Sequence, residues 1–265
     1  MQSREIMGQR RFGAVNWIGL QTLTAREIRR FAGIWAQTIV APVVTSALFM
    51  LVFWLAFAAR RGGGDDFAAF LAPGILMMSV IQNSFANTSS SIIAAKIQGN
   101  IVDTLMPPLS PAETLAGYAL GGAARGVACA LATGMLIFPF AGVGLAHPIW
   151  ALAFVLSGAL MLALLGVLGG IFAEKYDQMA AITNFVITPL SFLSGTFYSI
   201  DILPEPFRTI SQLNPFFYLI DGFRYGTLGT SDADPALGLV FTCALNLALG
   251  TLAWHWIRRG YRLKS

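Results

Sequence analysis

The stretch NPFFYLIDGFRYG, residues 214–226, sets Asp221 and Arg224 one helical turn apart inside aromatic and aliphatic sequence, directly ahead of the last long apolar run of the chain. Asn214 can cap a helix that has Pro215 at its first position, and on that helix Asp221 and Arg224 are spaced to pair. The surrounding residues 201–229 are hydrophobic yet interrupted by Pro204, Pro206 and Pro215, which predicts two short helices folded into a re-entrant hairpin rather than an exposed loop. Asn214, Pro215, Tyr218, Asp221 and Arg224 are then candidates for an outer gate; an interfacial aromatic belt with no gating role is the plainer alternative.

Outward from that hairpin the chain is apolar almost throughout. Of its 265 residues 56% are hydrophobic and only 11% charged, with a mean hydropathy of +0.67, whereas about a quarter of a soluble domain is charged. A bilayer asks for roughly 20 mostly apolar residues per helix. Six stretches qualify, at about 33–58, 69–93, 114–141, 149–173, 179–199 and 235–257. The expectation is an all-α polytopic membrane protein with six transmembrane helices. Residues 1–31 form a cytoplasmic tail and interfacial helix, residues 32–260 the membrane domain and residues 261–265 a second tail.

Six crossings leave both termini on one side, and the basic residues choose the side. Arg4, Arg10, Arg11, Arg26, Arg29, Arg30, Lys96, Lys175, Arg258, Arg259, Arg262 and Lys264 fall in the segments assigned to the cytoplasm, against Arg60, Arg61, Arg208 and Arg224 outside. Asp65 and Asp66 offset the first outer pair without reversing the bias. The net charge of +4 comes from these flanks and from no aromatic-interleaved patch, so nucleic acid is not an expected partner. The basic, polar N-terminal segment lacks the compact apolar core of a cleavable signal, and the N-terminus is expected to stay inside.

Several chemistries are excluded. Lys96, Lys175 and Lys264 are the only lysines, and none stands in a GxxxxGK[ST] phosphate loop. No carboxylate lies deep in a span, against ion-coupled carriage. His147 and His255 are isolated, and Cys129 and Cys243 fit neither a metal site nor a disulfide. No catalytic, metal or cofactor-binding residues are assigned. A set of spans with no energy source of its own implies a fuelled partner.

Polar residues inside the spans are the other candidates. Arg125 lies near mid-bilayer, close in the expected bundle to the polar stretch of span two that holds Gln82, Asn83 and Asn87. A structural pairing with those residues is the favoured reading, a substrate or gating role the alternative. Gly117 with Gly121, Gly122 with Gly126 and Gly166 with Gly170 have the spacing of close helix contacts. Trp17, Leu20, Thr24, Ile28 and Phe31 recur every three or four residues, which predicts an amphipathic helix lying in the cytoplasmic interface of the membrane lipid; a solvated tail that merely follows the positive-inside rule is the plainer alternative. In residues 94–114, Ile97, Ile101, Leu105 and Met106 can share a helical face stopped by Pro107, Pro108 and Pro111, either a docking knob or a plain connector.

The segment at residues 214–226, the six spans, the basic tail and the proline-ended inner loop together resemble the ABC-2 type permeases, the membrane subunits of ATP-driven bacterial exporters, over nearly the whole chain. The resemblance implies that the inner loop is a coupling helix for a separate ABC ATP-binding subunit, with Gln98, Asn100, Asp103, Leu105 and Met106 at the contact and ATP bound only by that partner. It further implies a homodimer in the inner membrane that encloses an export path for a drug, lipid or polysaccharide. A self-sufficient channel or secondary carrier is the competing class.

Overall fold

The structure, a computed structural model, describes residues 15–61 and 64–262; Arg4, Arg10, Arg11 and Lys264, and the side chains of Arg60, Arg61, Asp65 and Leu105, lie outside what it describes. The described residues are helical, with no strand among them. Helix α1 spans Trp17–Ala32, and a π-helical turn at Ala36–Val40 leads into α2, Ala41–Arg61. Then come α3 (Gly64–Ile97), the short α4 (Ile101–Leu105), α5 (Pro111–Ala141) and α6 (Pro148–Phe172). Helix α7 (Tyr176–Ile182), a second π turn at Thr183–Ile187 and α8 (Thr188–Phe192) run on without a break, and a 3-10 turn at Ile200–Ile202, α9 (Phe207–Leu213), α10 (Pro215–Leu228) and α11 (Pro235–Arg259) complete the chain.

Five segments are long and apolar enough to cross a membrane: Ala36–Ala56, Asp66–Ile97, Pro111–Ala141, Pro148–Phe172 and Pro235–Arg259. The stretch expected as a span at 179–199 is the composite α7–π–α8 at residues 176–192, which runs from the Lys96 end of the bundle to the Asn214 end. It ends because the chain turns at Gly195, whose φ is +73°, while the Ser194 and Thr196 hydroxyls donate to the Ser191 carbonyl at 2.9 and 2.8 Å. The most apolar windows of α3 and α6 are 78% and 72% buried, those of α2 and α11 only 11% and 22%. Helices α3 and α6 are therefore the centre of the bundle, with α2 and α11 on its outside.

Glycines set how closely the helices approach. A Cβ on Gly117 or Gly121 of α5 would run into Leu23 or Glu27 of α1, and one on Gly122 or Gly126 into Thr88 or Ser84 of α3. Helix α5 thus carries two glycine notches, one for each neighbour. On α6, Gly166 and Gly170 take Phe85 and Ile92 of α3 in the same way. All three pairs serve packing within the chain. Because Leu23 meets Gly117 and Glu27 meets Gly121, α1 advances in step with α5 and lies along it. Its buried line is Leu23, Glu27 and Phe31, while Trp17 and Ile28 of the expected stripe are exposed on the far side.

The start of α1, the ends of α3, α6 and α11 and the start of α5 gather at one end. There the Asn16 N–H donates to Glu113 Oε1 at 2.7 Å, Lys96 Nζ donates to the Ile171 carbonyl at 2.7 Å, and Arg262 donates to the Phe172 carbonyl at 3.1 Å. At the opposite end the His147 N–H donates to the Gly226 carbonyl at 2.8 Å, which joins α6 to α10. Replacing Gly121 by Val fills the notch under Glu27. We expect a loss of about 1–3 kcal/mol, the usual cost of overpacking, read as a lower unfolding midpoint in detergent, with Gly144→Ala, at a site with open space around it and no left-handed φ, as the control.

Candidate functional site

A groove of about 480 Å3 runs between α2, α3 and the α7–π–α8 segment. Its polar wall is made by Gln37, Ser79, Gln82, Asn83, Thr183 and Asn184, all uncharged. Both π turns face it: the first supplies Gln37, the second Thr183 and Asn184. A π turn interrupts the regular i→i−4 ladder and is common at functional positions. Phe49 and Phe197 add an aromatic side, with ring centroids 6.3 Å apart, and Phe192 stacks on Phe197 at 5.4 Å.

The four polar positions expected inside the spans divide between two places. Gln82 and Asn83 line the groove. Arg125 reaches Asn83 from behind, its Nη2 donating to Asn83 Oδ1 at 2.9 Å. Asn87 faces the other way, its carbonyl and Oδ1 accepting from Arg30 Nη2 at 2.6 and 3.1 Å. Arg30 leads to a carboxylate that the sequence reading did not single out. Glu27 is completely buried, 3.2 Å from Arg26 and 3.4 Å from Arg30, and accepts from Ser91 Oγ at 2.8 Å. Arg26 in turn donates to Thr104 of α4 at 3.0 Å and to the Tyr118 hydroxyl at 3.2 Å. The signal was present as one acid among three arginines in an amphipathic stretch.

Helix α4 is held from below and open above. Ile101 and Thr104 are buried, whereas Val102 is 50% and Met106 76% exposed, and Gln98, Asn100 and Asp103 are exposed with them. The expected common face of Ile97, Ile101 and Met106 is therefore split: Ile101 packs inward, and Ile97 and Met106 point out. A five-residue helix has room for only one inward row, and Ile101 and Thr104 occupy it. The following turn is fixed by a capping box in which Ser110 Oγ accepts from the Glu113 N–H at 3.3 Å and Glu113 Oε2 accepts from the Ser110 N–H at 2.7 Å. Since Glu113 also holds the Asn16 N–H, α1, the α4–α5 turn and α5 form one platform.

At the opposite end Asn214 Oδ1 accepts from the Phe216 N–H at 3.0 Å with Pro215 at the first helical position, and Asn214 Nδ2 donates to the Leu190 carbonyl at 2.7 Å. Tyr218 packs on Phe241 of α11, with ring centroids 5.0 Å apart. Asp221 and Arg224 are buried but only 3.8 Å apart at their nearest charged atoms, too long for a hydrogen bond. Asp221 accepts from the Asp232 and Ala233 N–H groups, both at 2.9 Å. Arg224 donates to the Gly195 carbonyl at 2.8 Å and lies 4.0 Å over the Phe70 ring. Asp232, which the sequence reading passed over, accepts from Ser199 Oγ at 2.8 Å and the Ile200 N–H at 3.0 Å.

The sequence profile of the ABC-2 type transporters matches residues 19–228, from α1 to the end of α10. The chain belongs to the ABC-2 type transporter family. It is 38% identical over 257 residues to the inner membrane transport permease YadH of Escherichia coli (strain K12), an alignment covering 94% of this chain and 98% of that one. It is also 27% identical over 244 residues to Nodulation protein J of Rhizobium leguminosarum bv. viciae, covering 87% and 89% of the two chains. This ABC-2 permease is accordingly a multi-pass inner membrane protein. In the ABC-2 chain the family match takes in the groove, α4 and the α9–α10 hairpin together.

Proposed function

We propose that this protein is the membrane subunit of an ATP-driven exporter, forming the translocation path and taking its energy from a separate ATP-binding subunit. The observation that carries the reading is α4: a short helix fixed to α1 through Arg26 and to α5 through the Ser110–Glu113 turn, yet presenting Val102, Asp103 and Met106 outward. An element firmly held on one side and bare on the other suits a rigid docking tip. Its end of the bundle, which also carries Arg29, Arg258 and Arg259, is the cytoplasmic one by the distribution of basic residues. No GxxxxGK[ST] loop occurs in the sequence, and in this reading the partner binds ATP.

Two copies would face each other across the polar groove and enclose the path, and the α9–α10 hairpin would close its outer end. The cargo is a drug, lipid or polysaccharide. The variant Asp103→Ala with Leu105→Arg is expected to abolish transport and to lose the ATP-binding subunit on purification in mild detergent, with an unchanged unfolding midpoint. Normal transport by that variant, or a purified complex with no vanadate-sensitive ATP hydrolysis, would overturn the reading.

A further inference from the structure

We infer that the groove receives the anionic group of an amphiphilic ligand, with Arg125 as the cation that binds it and Asn83 as the side chain the anion displaces. The inference rests on the groove being the transport path and goes further by naming what enters it.

Arg125 is the starting point. It stands midway along α5, which begins at Pro111 and ends at Ala141, so its guanidinium lies deep in the bilayer region, where an unneutralised charge is costly. Among the described residues it makes no ion pair, and its Nε has no hydrogen-bond partner. Its guanidinium donates to a neutral acceptor, Asn83 Oδ1, and lies beside the neutral Cys129 thiol. The other half-buried or buried arginines of the bundle are served better. Arg26 and Arg30 share Glu27, and Arg224 has the Gly195 carbonyl, the Phe70 ring and a carboxylate at 3.8 Å. Around Arg125, Cys129 is turned to the Thr38 carbonyl, and Ser84 is seated against Gly126. The charged residue nearest on α1, Arg30, has the same sign and its own counter-ion.

The residue that does serve Arg125 is a wall of the groove. Asn83 is placed with Oδ1 toward Arg125 and Nδ2 toward the Ser79 carbonyl at 2.9 Å. A ligand anion entering at Asn83 is a better acceptor for a guanidinium than an amide oxygen, since charge-assisted bonds are shorter and stronger. Rotation of Asn83 then hands Arg125 from the amide to the ligand. No carboxylate lines the groove to repel an anion or attract a cation. Its amides and hydroxyls suit the neutral polar part of a ligand, and Ile75, Met78 and the Phe49–Phe197 side suit an apolar tail.

The test uses the purified permease in nanodiscs, with three probes: lysophosphatidic acid, the monoacylglycerol with the same acyl chain, and glycerol 3-phosphate without a chain. We expect lysophosphatidic acid to bind about tenfold more tightly than monoacylglycerol, as a charge-assisted contact allows, and glycerol 3-phosphate to bind far more weakly than either. The preference is lost in Arg125→Gln and kept in Arg125→Lys. It is also lost in Asn83→Asp, which gives Arg125 a built-in carboxylate and keeps the fold, so a purely structural role for Arg125 predicts no such loss. Equal binding of the two lipids, or a preference that survives Arg125→Gln, overturns the inference. Glycerol 3-phosphate binding as tightly as lysophosphatidic acid would overturn the amphiphile and leave a soluble anion. None of these arms uses ATP or a partner subunit, so their failure leaves the exporter reading standing, and loss of that reading leaves the binding result intact.

Discussion

Exchanging Asp221 and Arg224 in one double variant restores nothing that either single substitution loses. Asp221→Ala and Arg224→Ala are each expected to destabilise by about 3–5 kcal/mol, the range for removing one member of a buried ionic arrangement, and Asp221→Arg with Arg224→Asp falls at least as far. The two side chains sit on one face of α10 but look to different loops. Asp221 binds two backbone N–H groups at Asp232 and Ala233, and Arg224 binds the Gly195 carbonyl and the face of Phe70. After the exchange a guanidinium confronts two N–H donors and a carboxylate confronts a carbonyl and the negative face of a ring, so each position is repelled by what formerly held it. Unfolding midpoints of the four proteins in one detergent decide the matter. A double variant more stable than both singles would make the 3.8 Å pairing the dominant interaction after all. Asp221→Asn keeps one acceptor oxygen for the turn at Asp232 and is expected to cost less than Asp221→Ala.

That pair also shows what the sequence can and cannot disclose. The three-residue spacing of Asp221 and Arg224, the Asn214–Pro215 helix start and the apolar lengths of α2, α3, α5, α6 and α11 are local patterns, and local patterns are written in the letters. The hydrogen-bond partners of Asp221 and Arg224 are backbone groups, which every residue carries and no letter marks. The break of the fifth apolar stretch was invisible for a similar reason: hydropathy counts side chains, whereas the π turn at Thr183–Ile187 and the turn at Gly195 are settled by hydrogen bonding. Pro111 reads equally well as a stop for α4 and a start for α5, and the capping box of Ser110 with Glu113 makes it the start. Arg125 and Asn83 were legible as polar residues in apolar spans, but that one lines the groove and the other stands behind it needed the helix rotations. Glu27 required most, because its burial depends on an absent side chain at Gly121 on another helix.

Glu27 should therefore be the least replaceable residue of α1. Its carboxylate, itself completely buried, accepts from Arg26, Arg30 and Ser91, and through them α1 is tied to α4 at Thr104, to α5 at Tyr118 and to α3 at Asn87 and Ser90. Glu27→Ala leaves two guanidinium groups without their counter-ion and a void above Gly121, for an expected loss of about 3–5 kcal/mol. Glu27→Gln keeps the volume and an acceptor for Ser91 but removes the charge, and about 1.5–3 kcal/mol is expected. Arg29→Ala, on the exposed side of the same helix, should stay within about 0.5 kcal/mol of the parent. That order, Ala worst, Gln intermediate and the Arg29 control unchanged, is read from unfolding midpoints. Equal losses for Ala and Gln would mean that shape alone seats the residue. Because the same hydrogen bonds join α4 to the helix that carries Asn83, Glu27→Gln should also lower transport at temperatures well below its unfolding midpoint. Arg26→Gln should reproduce that loss while leaving the Arg30–Asn87 contact in place. A defect in Glu27→Gln that Arg26→Gln does not share would instead put the mechanical link on the Arg30 side, between α1 and α3, and free α4 of it.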